Sequence, residues 1–338
     1  MKNFWKKLDR PFFCLAPMAD VTDIAFRKML AKHGKTARNK NRVVFWTEFV
    51  SADGLCNPIG RKKLLPILKY SKEEKPIVAQ VFGANPENMK TACEFIVGLG
   101  FDGIDINMGC PDKAVLKQGA GSALIKTPRL AREIIQAALS GIKSSGKDIP
   151  LSVKTRVGFN REEIDTWIPE LLKEDISAIT IHARTKKEMS KVPANWDYVK
   201  RVVAMVKRAG KNIPVIGNGD VQNIAEAEEK AKKYGCDGVM IGRGVFGNPE
   251  FFAATGEPAA EKKLKYLVEH AKLFEKTFRQ KNKETKNFDV MKKHFKAYVH
   301  GFDGAKELRV KLMEAVNAKQ VCEIVKKFKT LQTQIFDS

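Results

Sequence analysis

Cys110 is the residue of this sequence best placed to do chemistry. It directly follows a short apolar run and stands between Gly109 and Pro111. It opens segment 110–122, whose glycines predict a flexible loop that can carry the thiol over a bound ligand. A thiol with its ordinary pKa of ~8.5 is protonated at neutral pH and acidic enough to donate a proton. The other cysteines are interpreted as inert core residues: Cys14, Cys56, Cys93, Cys236 and Cys322.

Three further polar side chains lie in or at the ends of apolar runs. Lys154 can act there as a Schiff-base nucleophile, or it can neutralise the negative charge that a reduced flavin develops. His182 ends the next run. Gln80 carries an amide that both donates and accepts, which suits the edge of a planar heterocycle. The residues alone leave the Schiff-base and flavin alternatives open.

Two glycine-rich turns follow the last two apolar runs, at Gly217-Asn218-Gly219-Asp220 and Gly242-Arg243-Gly244. Backbone N–H groups in such turns cradle phosphate, and Arg243 would add a guanidinium. We therefore expect a phosphorylated ligand, with its phosphate at Gly219 and at Gly242–Arg243.

Positioning these groups together requires strands whose ends meet. Apolar runs that predict β-strands alternate with amphipathic segments that predict helices. The predicted strands are Phe12–Ala16, Val43–Thr47, Ile77–Phe82, Gly103–Asn107, Leu151–Lys154, Ala178–His182, Pro214–Gly217 and Gly238–Ile241. The predicted helices are Asn85–Leu99, Pro128–Ser144, Ile164–Lys173, Trp196–Ala209 and Asn223–Tyr234. Eight strands in this arrangement indicate an α/β fold, a (β/α)8 TIM barrel. The alternative, a doubly wound sheet, would be expected to carry a GxGxxG turn after an early strand, and the sequence has no such turn.

The pattern changes after the barrel, where 255–258 predicts a linker and no strand pattern follows. The expected organisation is a catalytic barrel domain over 1–255 and a basic, all-helical domain over 261–338. The tail helices are predicted at Lys262–Lys281, Asp289–Tyr298, Gly304–Ala315 and Ala318–Gln334. The whole chain carries a formal net charge of +22, which suggests a polyanionic partner, and the tail is over twice as basic per residue as the barrel.

Several classes of protein are not favoured by this sequence. No apolar run approaches the ~18–20 residues of a membrane helix, and the start lacks the apolar core of a secretory signal. The six cysteines are scattered and form no CxxC pair, so no disulfide framework is expected. No histidine lies near a cysteine pair at the spacing of metal ligands, so no zinc site is expected. We expect a cytoplasmic monomer with no metal and no membrane partner.

Seven motifs in the barrel resemble those of the tRNA-dihydrouridine synthases, in the same order along the chain. They are Ala16–Ala19, Gln80–Gly83, Asp105–Pro111, Ser152–Arg156, Ile181–Thr185, Gly217–Asp220 and Gly242–Arg243. The tail, through 292–294 and 304–309, is similar to the helical tRNA-binding domain of that family. The loop 187–196 departs from the family pattern before Ala194-Asn195-Trp196.

This resemblance implies an FMN enzyme that reduces the C5=C6 bond of uracil in tRNA, with NADPH as the reductant of the flavin. It implies that FMN is bound by Pro17, Met18, Ala19, Gln80, Lys154, His182, Asn218, Gly219, Asp220, Gly242 and Arg243. Residues expected to contact the tRNA are Asn107 at the uracil edge, and Lys113, Arg184, Lys292 and Lys293 at phosphates.

The same resemblance implies hydride transfer from flavin N5 to C6 and proton transfer from Cys110 to C5. Two alternatives stand beside it. One is an FMN barrel oxidoreductase that acts on a free pyrimidine, similar to a dihydroorotate dehydrogenase, which would need no basic tail. The other is an RNA-binding protein without catalysis, which would not need to keep Gln80, Lys154, Asn218 and Arg243.

Overall fold

The apolar runs form a closed barrel of eight parallel strands in a computed structural model that describes residues 3–280 and 283–336. The strands are buried on both faces, as is usual for parallel strands covered by helices. The barrel strands are β1 (Phe12–Leu15), β2 (Val43–Trp46), β4 (Ile77–Phe82), β5 (Gly103–Met108), β6 (Leu151–Arg156), β7 (Ala178–His182), β8 (Val215–Asn218) and β9 (Gly238–Ile241), and a short strand β3 (Val50–Ser51) pairs beside β4. The predicted TIM-barrel fold is confirmed.

Every neighbouring pair in the barrel is parallel, and β2 pairs with β4 while β1 pairs with β9 to close the ring. The β4–β5 register sets Gln80 opposite Asp105, and the β5–β6 register sets Asn107 opposite Lys154. Because all strands run the same way, their carboxyl ends share one rim of the barrel, where active sites of this fold lie.

Helices connect the barrel strands. They are α2 (Ala52–Cys56), α3 (Pro58–Leu64), α4 (Pro86–Gly98), α5 (Lys113–Lys117), α6 (Pro128–Ser144), α7 (Ile164–Leu172), α8 (Asp197–Arg208) and α9 (Ile224–Tyr234). Helix α1 (Ile24–Gly34) precedes them in the chain and belongs to the second unit, described below. The start of α4 follows ordinary capping chemistry: Asn85 caps the helix with a side-chain oxygen and Pro86 takes the first helical position.

The amino end of the barrel interior is filled by an N-terminal 3₁₀ helix, Phe4–Lys7. Trp5 is 2% exposed and packs in the cluster that includes Phe12 and Trp46, with ring centroids 5.6 and 5.8 Å away. The Phe4 ring lies against Gly103, the first residue of β5. This end of the barrel is therefore packed with aromatic side chains.

The chain divides into two compact units, Met1–Met18 with Ala37–Gly244, and Ala19–Thr36 with Val245–Ser338. The second unit holds α1 together with α10 (Ala260–Phe278), α11 (Met291–Tyr298), α12 (Ala305–Met313) and α13 (Ala318–Phe336). Its core includes apolar residues of α1, such as Met29, packed with Phe274 and Phe295. The predicted domain boundaries at 255 and 261 stay a prediction.

Three local predictions are wrong. The tail contains a short antiparallel hairpin, β10 (Arg279–Gln280) with β11 (Lys283–Glu284), where no strand was expected. Two-residue strands are too short to show the alternation that marks a strand. Helix α10 was predicted to end at Lys281, which lies outside the described ranges. The helix ends at Phe278, directly before β10.

The other error concerns segment 110–122, predicted as a flexible loop. It contains α5 and the start of a 3₁₀ helix, Gly121–Lys126. Asp112 caps α5 by accepting from the N–H of Ala114 at 2.8 Å and Val115 at 3.4 Å, a helix-start signal that outweighs the glycines. Helix α1 was also missed, because it is buried over most of its circumference and shows little amphipathic period.

Within the described residues, no helix has both the length and the apolar character needed to cross a membrane.

The contact between α4 and α6 yields a stability prediction. A Cβ on Gly141 of α6 would overlap the carbonyl oxygen of Lys90 in α4, so the two helices depend on glycine for their close approach. We expect Gly141→Ala to lower the free energy of unfolding by about 1–3 kcal/mol. Urea denaturation followed by circular dichroism would measure it.

Gly98→Ala, in α4, is the matched control. A Cβ there meets nothing within 4 Å, so this substitution should raise stability by up to ~1 kcal/mol. Equal effects of the two alanines would contradict the close-packing argument.

Candidate active site

A cavity of ≈ 270 Å³ opens at the carboxyl ends of the barrel strands. Most of its lining residues lie in the carboxyl-terminal part of β5, β6, β7, β8 and β9 or just after β1, β5, β7, β8 and β9. The predicted site residues found in this lining are Pro17, Met18, Asn107, Cys110, Lys154, His182, Arg184, Asn218, Gly219, Asp220, Gly242 and Arg243. The strand-end rule thus brings together residues that are up to 226 positions apart, from Pro17 to Arg243.

The other predicted residues lie elsewhere. Gln80 is fully buried and does not line the cavity. Lys113 is the first residue of α5 and is exposed. Ala19, Lys292 and Lys293 belong to the second unit. Contacts of these residues with a ligand stay predictions.

The backbone of Cys110 is held on both sides. Its N–H donates to Oδ1 of Asn107 at 2.9 Å, beside the N–H of Gly109, which donates to the same oxygen at 3.0 Å. Its carbonyl oxygen accepts from the N–H and the hydroxyl of Ser122, at 3.1 and 2.9 Å. Gly121 has a φ of +61°, and a Cβ there would crowd that carbonyl. The backbone of Cys110 is therefore held at a fixed place on the cavity rim.

The Cys110 thiol is protonated at neutral pH. Burial raises its pKa above the usual range, and this outweighs the lowering by Arg156 and Lys154. The sulfur consequently keeps its proton at neutral pH. The nearby cations Arg156 and Lys154 would stabilise the thiolate that is left once the proton has been transferred.

Lys154 and Asn218 meet across the cavity floor. The ammonium Nζ donates to Oδ1 of Asn218 at 3.1 Å, and Nδ2 of Asn218 donates to the carbonyl oxygen of Met240 at 2.8 Å. Burial, and after it the neighbouring Arg156, lowers the pKa of Lys154 to about 8. Lys154 is therefore cationic at neutral pH and loses its charge as pH rises through about 8.

His182 is neutral in this environment. Burial lowers its pKa well below 6.5, and the cations Arg156, Lys154, Arg184 and Arg243 lower it further. The guanidinium of Arg184 lies 3.3 Å from Nε2 of His182. Since a guanidinium only donates, Nε2 accepts in this contact and the ring proton is assigned to Nδ1.

Asp220 supplies the carboxylate of the lining and pairs with two arginines. It accepts from Arg184, from the N–H of Ala194 at 2.8 Å, and from Arg243 at 3.3 Å. Burial raises its pKa, but these hydrogen bonds and charges outweigh burial and lower it. Arg184 is 3% exposed and also donates to the carbonyl oxygen of Val192 at 2.6 Å, so it is a buried part of the cavity wall.

Arg156 lines the cavity and was missed as a site residue. Its guanidinium donates to the carbonyl oxygens of Gly109, Thr185 and Met189, at 2.8, 3.0 and 3.0 Å. It links the Cys110 turn to the loop after β7. The available signal was its spacing, because residues two apart on a strand share a face and Lys154 was already assigned to the cavity.

Loop 187–196, which departs from the family pattern, ends in a residue that shapes the cavity. Trp196 is buried, and its Nε1 donates to the carbonyl oxygen of Gly219 at 2.9 Å. Its ring occupies the space that a side chain at Gly217 would need. The glycine-rich turn after β8 therefore rests on this tryptophan.

The lining of the cavity suits an anion that also has an apolar part. Four cationic side chains surround it against one carboxylate: Lys154, Arg156, Arg184 and Arg243, against Asp220. Apolar groups complete the lining, including Ala16, Pro17, Met18 and Met240. In the described part of the chain, no group of three or more His, Cys, Asp or Glu side chains is arranged to hold a metal ion.

Comparison with known proteins gives one consistent family. The family model described as dihydrouridine synthase matches residues 14–335. A probable tRNA-dihydrouridine synthase from Staphylococcus epidermidis is 39% identical over 329 residues, which cover 97% of this chain and 96% of that protein. The probable tRNA-dihydrouridine synthase 2 of Bacillus subtilis is 37% identical, with 97% of each chain covered.

Solved structures agree with the barrel fold. A 2-naphthoyl-CoA reductase complex superposes with a TM-score of 0.56 at 12% identity, covering 76% of this chain and 52% of that one. A histamine dehydrogenase from Rhizobium sp. 4-9 gives a TM-score of 0.52 at 11% identity, covering 80% and 51%. At these identities the likeness concerns the fold alone.

Proposed function

Since the chain belongs to the dihydrouridine synthase family, we propose that it reduces the C5=C6 bond of uridines in tRNA with FMN bound in the cavity at the barrel rim. It is a flavin-dependent oxidoreductase that modifies tRNA. NADPH is proposed as the reductant. The observation that carries the site assignment is the position of Cys110 on the rim of a cavity whose lining includes Lys154, Arg156, Arg184 and Arg243.

The cavity residues fit the two ends of FMN. Gly219, Gly242 and Arg243 are proposed to bind the phosphate, with Asp220 holding Arg243 by an ion pair. Pro17 and Met18 provide apolar surface for the isoalloxazine ring. When bound, FMN supplies the hydride that is added to C6 of the uracil ring. Lys154, cationic at neutral pH, stabilises negative charge on the polar edge of the ring.

Cys110 is proposed to hold the proton that goes to C5 of the uracil. Hydride addition at C6 leaves enolate character between C5 and O4, and a thiol on the rim can protonate C5. Asn107 positions this thiol by accepting from two backbone N–H groups. One N–H of its Nδ2 donates to Gln80, so the second N–H can contact the uracil edge.

His182 is proposed to act in its neutral form. With its proton on Nδ1, it presents a hydrogen-bond donor without adding a further cation to the cavity. Arg184 is proposed to support Asp220 and His182 inside the cavity, since its guanidinium is already bonded to both.

The direct test is dihydrouridine formation by the purified protein with FMN, NADPH and an unmodified tRNA transcript, measured by mass spectrometry of the nucleosides. Free uridine and orotate serve as alternative substrates. Dihydrouridine in tRNA only is the expected result. Reduction of a free pyrimidine in place of tRNA would favour the free-pyrimidine oxidoreductase, and a protein that cannot be reconstituted with FMN would contradict the proposal.

The tail is proposed to supply affinity for tRNA through phosphate contacts. Lys292 and Lys293 lie on α11, where their ammonium groups are 2.6 Å from Asp289 and 3.8 Å from Asp20. Lys293 and both carboxylates are exposed and Lys292 is half-buried; ion pairs so open to solvent are weak, so a phosphate can displace the carboxylates. Changing both lysines to Ala should flatten the slope of log affinity against log salt by about one to two units.

Affinity for tRNA across a salt series measures this slope. Lys232 and Lys233, exposed on α9, give a control pair with the same change in net charge. Flavin content and NADPH oxidation should not change in either variant. An equal loss of slope in both pairs would show a general charge effect instead of contacts at α11.

A further inference from the structure

The peptide group that joins Gly219 to Asp220, in the turn after β8, makes a single hydrogen bond within the described part of the chain. Its carbonyl oxygen accepts from Nε1 of Trp196 at 2.9 Å. Its N–H, which belongs to Asp220, has no acceptor among the described residues. In a planar trans peptide the C=O and the N–H point in opposite directions. The bond to Trp196 therefore directs the Asp220 N–H away from the tryptophan.

The turn is strained in this orientation. Asp220 has a φ of +47° and Gly219 a φ of +132°, values that residues with side chains rarely adopt. Rotation of the shared peptide plane by about 180°, the change that separates type I from type II turns, would bring Asp220 to a φ of about −130°. That value is extended backbone, and glycine tolerates the accompanying change in its ψ. The strain at Asp220 therefore favours the rotated peptide, in which the N–H direction is reversed.

The side-chain contacts of the turn do not oppose this rotation. The peptide plane turns about the line between its two Cα atoms, and both Cα atoms stay in place. The carboxylate of Asp220 can therefore keep its hydrogen bonds to Arg184 and to the N–H of Ala194 in either orientation. The N–H of Trp196 is the contact that distinguishes the two orientations.

Trp196 offers this N–H from a fixed position. It is 3% exposed, and its Cζ3 lies 2.3 Å from the place of a Cβ on Gly217, so the ring packs directly on the backbone of β8. From α9, the ring centroid of Tyr234 lies 5.8 Å away and Nζ of Lys230 lies 5.1 Å from the indole centroid. The indole is therefore held between β8 and α9.

We propose that Trp196 is a positioning residue for the phosphate of FMN, acting through the orientation of the peptide between Gly219 and Asp220. The inference rests on the proposed function, in which the turns after β8 and β9 bind that phosphate. Successive backbone N–H groups form such anion sites. With its carbonyl bound to Trp196, the peptide offers the Asp220 N–H to the phosphate. The rotated peptide would offer a carbonyl oxygen, which repels an anion.

Trp167 provides a matched control. It is 1% exposed, and its Nε1 donates to Oγ1 of Thr155 at 2.9 Å. Thr155 lies between Lys154 and Arg156 on β6, and since side chains alternate along a strand it faces the helices instead of the cavity. Trp167→Phe therefore removes the same N–H and the same ring volume as Trp196→Phe, from an equally buried place, and leaves the turn after β8 intact.

The test compares the affinities of the flavin-free proteins for FMN and for riboflavin, which lacks only the phosphate. Fluorescence quenching gives both dissociation constants. Trp196→Phe should bind FMN at least tenfold more weakly and riboflavin within threefold of the wild type. Trp167→Phe should keep the wild-type ratio of the two constants. In a second variant 3-benzothienylalanine replaces Trp196, so that sulfur takes the place of the N–H while the ring volume is kept. It should show the same selective loss.

The outcomes separate the alternatives. An unchanged ratio in Trp196→Phe, or an equal loss in Trp167→Phe, would overturn the positioning role and leave the proposed function standing. Equal weakening of both flavins would overturn it too, because it would show a general distortion of the cavity. If Trp196→Phe does not fold, the benzothienylalanine variant decides alone. A wild type that does not prefer FMN to riboflavin would reject the phosphate site of the proposed function, and this inference with it.

Discussion

The Cys110→Ala variant should form dihydrouridine about 10²–10⁴-fold more slowly than the wild type, the range that general acid catalysis usually contributes. The thiol is held on the cavity rim, and burial raises its pKa so that it carries a proton at neutral pH. Removal of the thiol takes away the proposed proton for C5 and leaves the residues proposed to bind the flavin in place. Flavin content and NADPH oxidation should therefore remain at wild-type levels.

Single-turnover reactions with reduced enzyme and tRNA would isolate the affected step. Cys236→Ala is the control, since Cys236 is buried and lies outside the cavity lining. A comparable loss in Cys236→Ala, or wild-type turnover in Cys110→Ala, would contradict the assignment of Cys110 as the proton donor.

The Lys154→Met variant should bind FMN about 10–100-fold more weakly. Hydrogen bonds to charged groups are worth about 1.5–3 kcal/mol, and Lys154 is a buried cation on the cavity floor. Methionine keeps most of the volume and removes the charge. Fluorescence quenching during titration of the flavin-free protein with FMN measures the dissociation constant.

The same residue predicts a pH dependence. The pKa of Lys154 is lowered to about 8, so the ammonium is present at pH 7 and is lost as pH rises through about 8. FMN affinity of the wild type should fall between pH 7 and 9, and Lys154→Met should lack this fall. Lys200→Met, an exposed lysine on α8, is the control and should behave as wild type. A parallel fall in both variants and the wild type would show that another group is responsible.

Sequence reasoning recovered the barrel because its signals are local and repeated. Apolar runs such as Ile77–Phe82 and Ala178–His182 are strands with the predicted bounds, and Pro128–Ser144 is a helix as predicted. Once the barrel is inferred, the residues after each strand must share a rim. This is why Cys110 and Arg243 could be placed in one site from the sequence.

The errors arise where the decisive partners are distant in sequence. The hydrogen bonds of the Gln80 amide to Asp105 and Asn107 on the neighbouring strand could not be read from the sequence, and its contact with a ligand stays a prediction. Helix α1 lies early in the chain but belongs to the second unit, where it packs in one core with residues from 264 onwards. Neither arrangement leaves a pattern in the neighbouring residues.

The aromatic packing around Trp5 has a kinetic consequence. With that end of the barrel filled, the reductant and the uridine must approach the proposed flavin through the same opening. If FMN were bound with one ring face open to that opening, a nicotinamide ring and a uracil ring could not both stack on that face at once. The enzyme would then work by a double-displacement scheme, in which oxidised nicotinamide leaves before the nucleic acid enters. Initial-rate plots at several fixed tRNA concentrations would form parallel lines.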